Sequence, residues 1–322
     1  MGRSVGVDVV VVGEPLVEFS ADRALGEAEV FRLSFSGDAL NASVAAAAAG
    51  AHVALVTRVG RDEFGERLIA FAAAHGVHTA WMRPGDGSTG AYAVGADPTG
   101  SRAFAYLRAA SAATRMTADD VDDSPVAEAR VVLLSGVGAA VAEPTVLRAA
   151  EVASGRVVYD PNYRGRLTTP EAARRVLERV APHAALVTPS CPGDSGPLFG
   201  TDDPDETAGK ALALGARAVA VTRGPEGVLL RYGGGAGAGT PSLEHVPAFP
   251  AGRIVDQTGA GDAFAGALSA WLARGADLAE AVRAGAAAAA VSLEGQGGTG
   301  RVAARAEIEA LLQMAMPGAE TF

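Results

Sequence analysis

Cysteine is almost absent. Cys191 is the single one in 322 residues, which excludes an internal disulfide framework and a cysteine-built zinc cluster. Lysine is as scarce: Lys210 stands alone, so nearly all of the 27 basic side chains are guanidinium groups, as expected from a compositional bias in a chain so rich in Ala and Gly. The histidines (His52, His75, His78, His183 and His245) show no HExxH-type spacing. Long apolar runs are also missing, since Ala42–Val56 is broken by Gly50 and His52 and falls short of a membrane span. Met1–Asp8 leads straight into a β-like run, without the charged and apolar segments of a signal peptide. Set against the basic residues, 37 acidic ones leave a net charge of −10, which argues against nucleic acid or an anionic membrane as partner. The chain reads as a cytoplasmic protein whose function lies in a local site.

What is present is an alternation. Val9–Val12 is a continuous β-branched run ending at Gly13, the pattern of a strand buried on both faces, and similar runs recur at Ala51–Thr57, Val131–Ser135, Arg156–Tyr159, Ala184–Thr188 and Ala218–Thr222. Helical patterns lie between them. Thr169 is placed to cap and Pro170 to open a helix with Val176, Leu177 and Val180 on one stripe, and Phe64–His75 carries Phe64, Leu68, Phe71 and Ala72 on one side. Strand–helix repetition implies parallel pairing through crossover helices, and predicts one α/β domain over residues 1–322. Two segments break the rhythm. Leu16–Ser36 and Gly90–Arg108 have β-prone residues, no helical stripe and turn signals such as Asp97-Pro98-Thr99-Gly100, so they are expected to form a small antiparallel accessory sheet or, failing that, two surface hairpins. Tyr232–Pro241 is glycine-rich and reads as a loop.

The chemistry concentrates in Ile254–Leu268. Gly259-Ala260-Gly261 precede Asp262 and an apolar helix, so backbone N–H groups and the helix dipole can converge on an anion without a lysine. Asp262 fits two roles. It is either the helix N-cap, or a general base taking a proton from a hydroxyl while the amides hold a transferred phosphoryl group. The stretch is neither a GxGxxG dinucleotide loop nor a Walker A motif.

Asp256-Gln257-Thr258-Gly259-Ala260-Gly261-Asp262-Ala263-Phe264 resembles the D-x-T-G-A-G-D-x-F signature of the ribokinase-like (PfkB-type) sugar kinases. Ser36-Gly37-Asp38-Ala39-Leu40-Asn41 resembles the family's sugar motif, Val221–Gly227 its V-T-x-G-x-x-G nucleotide turn, and Val56–Gly65 a further family stretch. The resemblance runs from Val9 to about residue 300. It implies an α/β fold of the ribokinase-like kind, a doubly wound, mostly parallel sheet with a small β-lid, the lid occupying segments of about 15–36 and 89–109. It also implies an ATP- and Mg²⁺-dependent kinase, with Asp262 as base and the amides of Gly259, Ala260 and Gly261 stabilising the transferred group. Thr222, Gly224 and Gly227, with Gly259 and Gly261, would face the nucleotide, the helix around Ala288 would flank the adenine, and Asp256 and Thr258 would sit at a K⁺ site. Relatives often dimerise through the lid, so a homo-oligomer is expected.

Within the family the chain looks most like the 2-keto-3-deoxygluconate kinases, through Gly13–Val17, Gly37–Asn41, Tyr106-Leu107-Arg108 with Ser111-Ala112-Ala113, and Asp160-Pro161-Asn162-Tyr163-Arg164. A keto-acid sugar carries a carboxylate that paired guanidinium hydrogen bonds recognise, which suits Arg108 and Arg164. Gly37, Asp38, Asn41, Tyr92 and Tyr106 complete the implied sugar site. Each has a plainer role open to it: surface for the arginines, lid core for the tyrosines, a helix cap for Asn41. Arg166 is expected to be solvated. Fructose or another sugar, or a non-catalytic binding role, are the alternatives.

One departure stands out. The family's N-x-x-E magnesium motif is replaced by Ser190-Cys191-Pro192-Gly193-Asp194, with neither Asn nor Glu. Counting back from Leu198-Phe199-Gly200 places Asp194 in the acidic position, where it would act on Mg²⁺ through water; counting from the strand end puts Gly193 there.

Overall fold

The computed structural model describes residues 6–95, 103–232 and 242–314. In chain order the strands are β1 (Val9–Val12), β2 (Leu16–Ala21), β3 (Arg32–Ser36), β4 (Val53–Gly60), β5 (Val77–His78), β6 (Met82–Gly85), β7 (Ala91–Gly95), β8 (Ala103–Leu107), β9 (Val131–Ser135), β10 (Arg156–Asp160), β11 (Ala184–Val187), β12 (Ala218–Thr222), β13 (Val228–Tyr232) and β14 (Ser242–Val246). The helices are α1 (Asp38–Ala48), α2 (Glu63–Ala74), α3 (Ala118–Asp122), α4 (Gly136–Val152), α5 (Pro170–Val180), α6 (Pro204–Ala213), α7 (Ala260–Ala273), α8 (Leu278–Ser292) and α9 (Arg305–Met314).

The β-branched runs become the spine of the main sheet, ordered β14-β13-β12-β11-β10-β9-β1-β4-β5 with β6 also on β4. Pairing is parallel from β12 to β5, and β13 and β14 add an antiparallel hairpin at one edge. All four valines of β1 are buried, because helices cover both faces of the sheet. One face packs on α1, α7 and α8, the other on α4, α5 and α6. The caps follow from local chemistry: Thr169 Oγ1 accepts from Ala172 N–H at 3.3 Å to start α5, and Asp62 Oδ1 accepts from Gly65 N–H at 2.8 Å to start α2. From β1 the chain winds outward through β4 and β5, then returns to β9 and winds the other way. This reversal beside β1 opens a crevice outside the carboxyl ends of the strands, where open α/β sheets bind ligands.

The two non-helical segments form the lid, a four-stranded sheet ordered β3-β2-β7-β8. Its outer pairs are antiparallel, as expected, but its central pair, β2 with β7, is parallel. The correction has a simple cause. Each hairpin leaves the main sheet by its first strand, so the two outgoing strands run side by side in one direction. The turn signal at Asp97–Gly100 and the glycine-rich stretch 233–241 lie outside the described residues. No helix among the described residues is long and apolar enough to cross a membrane.

Candidate active site

A cavity of about 570 Å³ lies between the lid and the strand ends, and α7 points its N-terminus into it. Gly259, the residue before the helix, has φ +80°, and a side chain there would meet Gly298 Cα at 2.6 Å. A Cβ on Gly261 would project into open space. No side chain caps α7; Ala260 N–H reaches the Gln257 carbonyl at 3.3 Å, and the other first-turn N–H groups can serve a ligand. That removes the plainer reading of Asp262: it sits in the first turn and does not cap the helix.

Asp262 instead accepts a hydrogen bond from Asn41 Nδ2 at 2.8 Å, and Asn41 also reaches Ser36 Oγ at 3.4 Å. Asn41 is buried in the first turn of α1, and its bond to Asp262 is what the close α1–α7 crossing makes possible. Loss of solvent, then the neighbouring Asp38 charge, push the Asp262 carboxyl up to about 6, against the pull of Asn41 and Arg164. A carboxylate so tuned, partly open to the cavity and beside uncapped amides, has the makings of a general base next to an anion hole. Asp38, raised above the ordinary range chiefly by burial, accepts from Ser135 Oγ and feels the positive charges of Arg108 and Arg164. Gly37 turns the chain into α1 at φ +101°, where a side chain would meet the Glu14 carbonyl at 2.7 Å.

The sugar-side residues read from the sequence do converge. Gly37, Asp38, Asn41, Tyr92, Tyr106, Arg108 and Arg164 line this one cavity with Gly259, Gly261 and Asp262. Tyr92 takes the plainer role: its ring is lid core, and its hydroxyl is bound to Glu18, so burial and that carboxylate raise its pKa. Arg108 is not a free cation. It is 7% exposed, ion-paired to Glu14, and lies 5.9 Å over the Tyr106 ring. Arg164 is exposed; its Nη1 donates to the Tyr163 carbonyl at 3.0 Å, and its charge favours ionised Asp262, Asp38 and Asp160. Arg166 is exposed, as expected, and also donates to the Phe104 carbonyl of β8 at 2.8 Å and lines the same cavity, because the loop after β10 passes under the lid.

The nucleotide-side residues are less concentrated. Thr222 ends β12, and its backbone pairs with Pro189 and Cys191 at 2.9 and 2.8 Å. Gly224 and Gly227 form the following turn with φ +54° and +83°, and a side chain at Gly227 would meet the Val246 carbonyl at 2.1 Å. These three stand outside the lining of the cavity. Ala288 corrects the expectation for the adenine: it is 2% exposed within the packed α8 core, where Gly285 takes the Phe264 ring, and offers no surface to a ligand.

Asp194 needs a correction as well. It is 1% exposed; Oδ1 accepts from Tyr163 N–H at 2.6 Å, and Oδ2 from both the N–H and Oγ of Ser190 at 2.7 Å. These bonds commit both oxygens to tying the β11 loop to the β10 loop, so Asp194 does not fit the part of an acid acting on Mg²⁺ through water. Among the described residues no group of three or more His, Cys, Asp or Glu side chains is placed to hold a metal ion. Asp256 is buried and ties the anion-hole turn down, accepting from Thr258 N–H and Gly297 N–H, each at 2.8 Å.

Glu14 and Asp160 are acids behind the cavity wall to which the sequence analysis gave no role. Asp160 ends β10, and burial, then the charges of Asp194 and Asp262, raise its pKa well above the ordinary value. The signal for both was an acid directly at or after a buried β-branched run, where a solvated side chain is not the default.

A fold of two-sided α/β construction with a β-lid, and a carboxylate beside a helix N-terminus, suit a phosphotransferase acting on an alcohol. The chain belongs to the pfkB family of carbohydrate kinases, whose pattern matches residues 7–304. It is 31% identical over 317 residues to a 2-dehydro-3-deoxygluconokinase of Thermoproteus tenax, covering 95% of this chain and 94% of that one. It is 32% identical over 272 residues to fructokinase-1 of Zea mays, covering 81% of each. Among solved structures, a putative ribokinase II from E. coli in complex with ATP and Mg²⁺ superposes with a TM-score of 0.83 at 25% identity, covering 96% of this chain and 99% of that one. The fold is ribokinase-like.

Proposed function

We propose that this sugar kinase transfers the γ-phosphoryl group of ATP to the terminal primary hydroxyl of 2-keto-3-deoxygluconate, also called 2-dehydro-3-deoxygluconate. The observation that carries the reading is one cavity lined both by Asp262 with the α7 N-terminus and by the cation Arg164. In the step, Asp262 takes the hydroxyl proton, the sugar oxygen bonds to the γ-phosphorus, and the bond to the bridging oxygen breaks with its electron pair leaving on ADP. The first-turn amides of α7 stabilise charge on the transferred group, and the lid keeps water from taking the place of the sugar. Arg164, with the outward donors of Arg108, would hold the substrate carboxylate. Support for the substrate comes from the 2-dehydro-3-deoxygluconokinase relative, and for ATP with Mg²⁺ from the ligands named for the E. coli neighbour. K⁺ near Asp256 and Thr258 belongs to the same reading, as does a homo-oligomer through the lid, which exposes Val30, Phe31 and Leu107.

The Arg108–Glu14 pair favours a second reading, a neutral ketose such as fructose, because it removes one net positive charge from the cavity. ADP release measured with 2-keto-3-deoxygluconate, gluconate, fructose, ribose and no sugar separates the two. Turnover confined to the keto-acid sugar and lost in Asp262→Asn supports the first reading; preference for fructose transfers the assignment to the second. Folded protein that binds ATP yet turns over none of the panel counts against both. Repeating the assay with K⁺ replaced by a larger cation tests the monovalent site.

A further inference from the structure

Glu14 occupies the short link between β1 and β2 and is 1% exposed, an unusual place for a carboxylate. Ser111 Oγ donates to its Oε1, and Arg108 pairs with its Oε2. The surrounding chain leaves room for it: a side chain on Gly90, at the entry to β7, would lie 2.3 Å from Oε1. Its own carbonyl sits against Gly37, where the chain leaves β3. The carboxylate thus lies where the chain crosses between main sheet and lid, and its partner Arg108, the residue after β8, lines the cavity.

We propose that Glu14 is a positioning residue that fixes the Arg108 guanidinium on the cavity wall as half of a neutral pair, and so sets how strongly the site favours an anionic sugar over a neutral one. The inference rests on the sugar-kinase reading of the cavity. A guanidinium has more N–H donors than one carboxylate can accept, so Arg108 keeps donors for the sugar while its net charge is cancelled. Both partners are buried, so neither finds water to replace the other. The cations left to attract a substrate carboxylate are Arg164 and Arg166, both exposed on the cavity and hydrogen-bonded to backbone carbonyls. Removing the Glu14 charge while keeping its shape exposes the Arg108 charge to the ligand.

The test is a double-mutant cycle of Glu14→Gln and Arg108→Gln, with KM and kcat measured for 2-keto-3-deoxygluconate and for fructose, and sugar binding followed by calorimetry. In Glu14→Gln the preference for the acid, read as the ratio of the two KM values, should rise about tenfold with kcat nearly unchanged, the size of one charge-assisted hydrogen bond. In the Arg108→Gln background the same change should have no further effect on the ratio. If Glu14→Gln does not fold, Arg108→Gln and the double variant carry the test: the second Gln should restore stability by removing an unpaired buried acid and leave the ratio alone. A ratio that is unchanged, that moves toward fructose, or that shifts equally without Arg108 overturns the proposal. A wild-type protein that neither binds nor phosphorylates any sugar sinks the kinase reading instead, and the thermal-stability coupling between positions 14 and 108 still reports on the pair.

Discussion

Asn41 Nδ2 donates to Asp262 Oδ2 over 2.8 Å and joins two residues 221 positions apart, so the first turn of α1 sets the proton affinity at the first turn of α7. The bond favours the charged carboxylate, while burial and Asp38 favour the neutral one. The balance leaves Asp262 at about 6, close enough to neutrality to accept a proton and release it.

That balance predicts a pH profile. kcat/KM should rise with pH through an acid limb near 6, since Asp262 must be ionised to act as base. Asn41→Ala removes the interaction that lowers this pKa, so the limb should move to higher pH and activity near neutrality should fall. An acid limb that stays in place in Asn41→Ala would show that another group controls it.

Stability should respond in the opposite sense. The folded pKa of Asp262 is raised from 3.8 to about 6, so its contribution to stability is present below the unfolded value and is lost as pH rises through about 6. Asp262→Asn cannot ionise. It should be more stable than the parent at pH 7.5 by about 1–3 kcal/mol, with the gap closing toward pH 4. The same variant should lose about a hundred- to ten-thousandfold in kcat. Thermal melts across pH, run beside steady-state assays, check both halves.

The approach of α1 to α7 depends on Gly266, where a Cβ would stand 2.3 Å from the Ala42 carbonyl. Gly266→Ala should push the helices apart at a cost of about 1–3 kcal/mol. Because the Asn41–Asp262 bond spans that crossing, kcat should fall about tenfold or more beyond what stability explains. Gly298→Ala presses on the Asn41 amide itself, its Cβ lying 2.2 Å from Nδ2, and should reproduce the kinetic loss. A normal kcat in both folded variants would detach the bond from catalysis.

How much of this was legible in the sequence depends on the range of the interaction. The valine run of β1, the Thr169 cap and the glycines before Asp262 are read from neighbouring residues, and they stand where expected. The lid's parallel centre was not readable, because it depends on the directions in which two distant hairpins leave the main sheet. The sugar-side residues were recognised by motif, yet the pairing of Arg108 with Glu14 joins residues brought together only by folding. Asp194 shows the reverse failure. Its motif position suggested a metal role, and only the backbone of Tyr163 and Ser190 shows where its oxygens go. Ala288 was assigned through the family resemblance, and in so alanine-rich a helix no polar stripe marks which face is buried.

Asp194→Ala separates a loop clamp from a metal-binding acid. It leaves the Tyr163 and Ser190 N–H groups without their acceptor, and should cost about 2–4 kcal/mol in stability. Because Tyr163 precedes Arg164, KM for an acidic sugar should rise too. The Mg²⁺ concentration giving half-maximal rate should stay within about twofold of the parent, since a tenfold change equals about 1.4 kcal/mol of lost metal affinity. A large rise in that concentration with normal stability would return Asp194 to the metal.

Arg166 ties the loop after β10 to the lid through the Phe104 carbonyl at 2.8 Å, so it should act on closure rather than on chemistry. A partly exposed bond of this kind is worth about 1 kcal/mol, enough to change the closed fraction several-fold. In Arg166→Ala the lid opens more often, and water gains access to the phosphoryl group held at α7. ADP release should then exceed sugar phosphate formed, and sugar KM should rise, while the acid limb set by Asp262 stays where it is. Parallel measurement of ADP and phosphorylated sugar checks this, and a one-to-one yield with unchanged KM would show that the lid closes without Arg166.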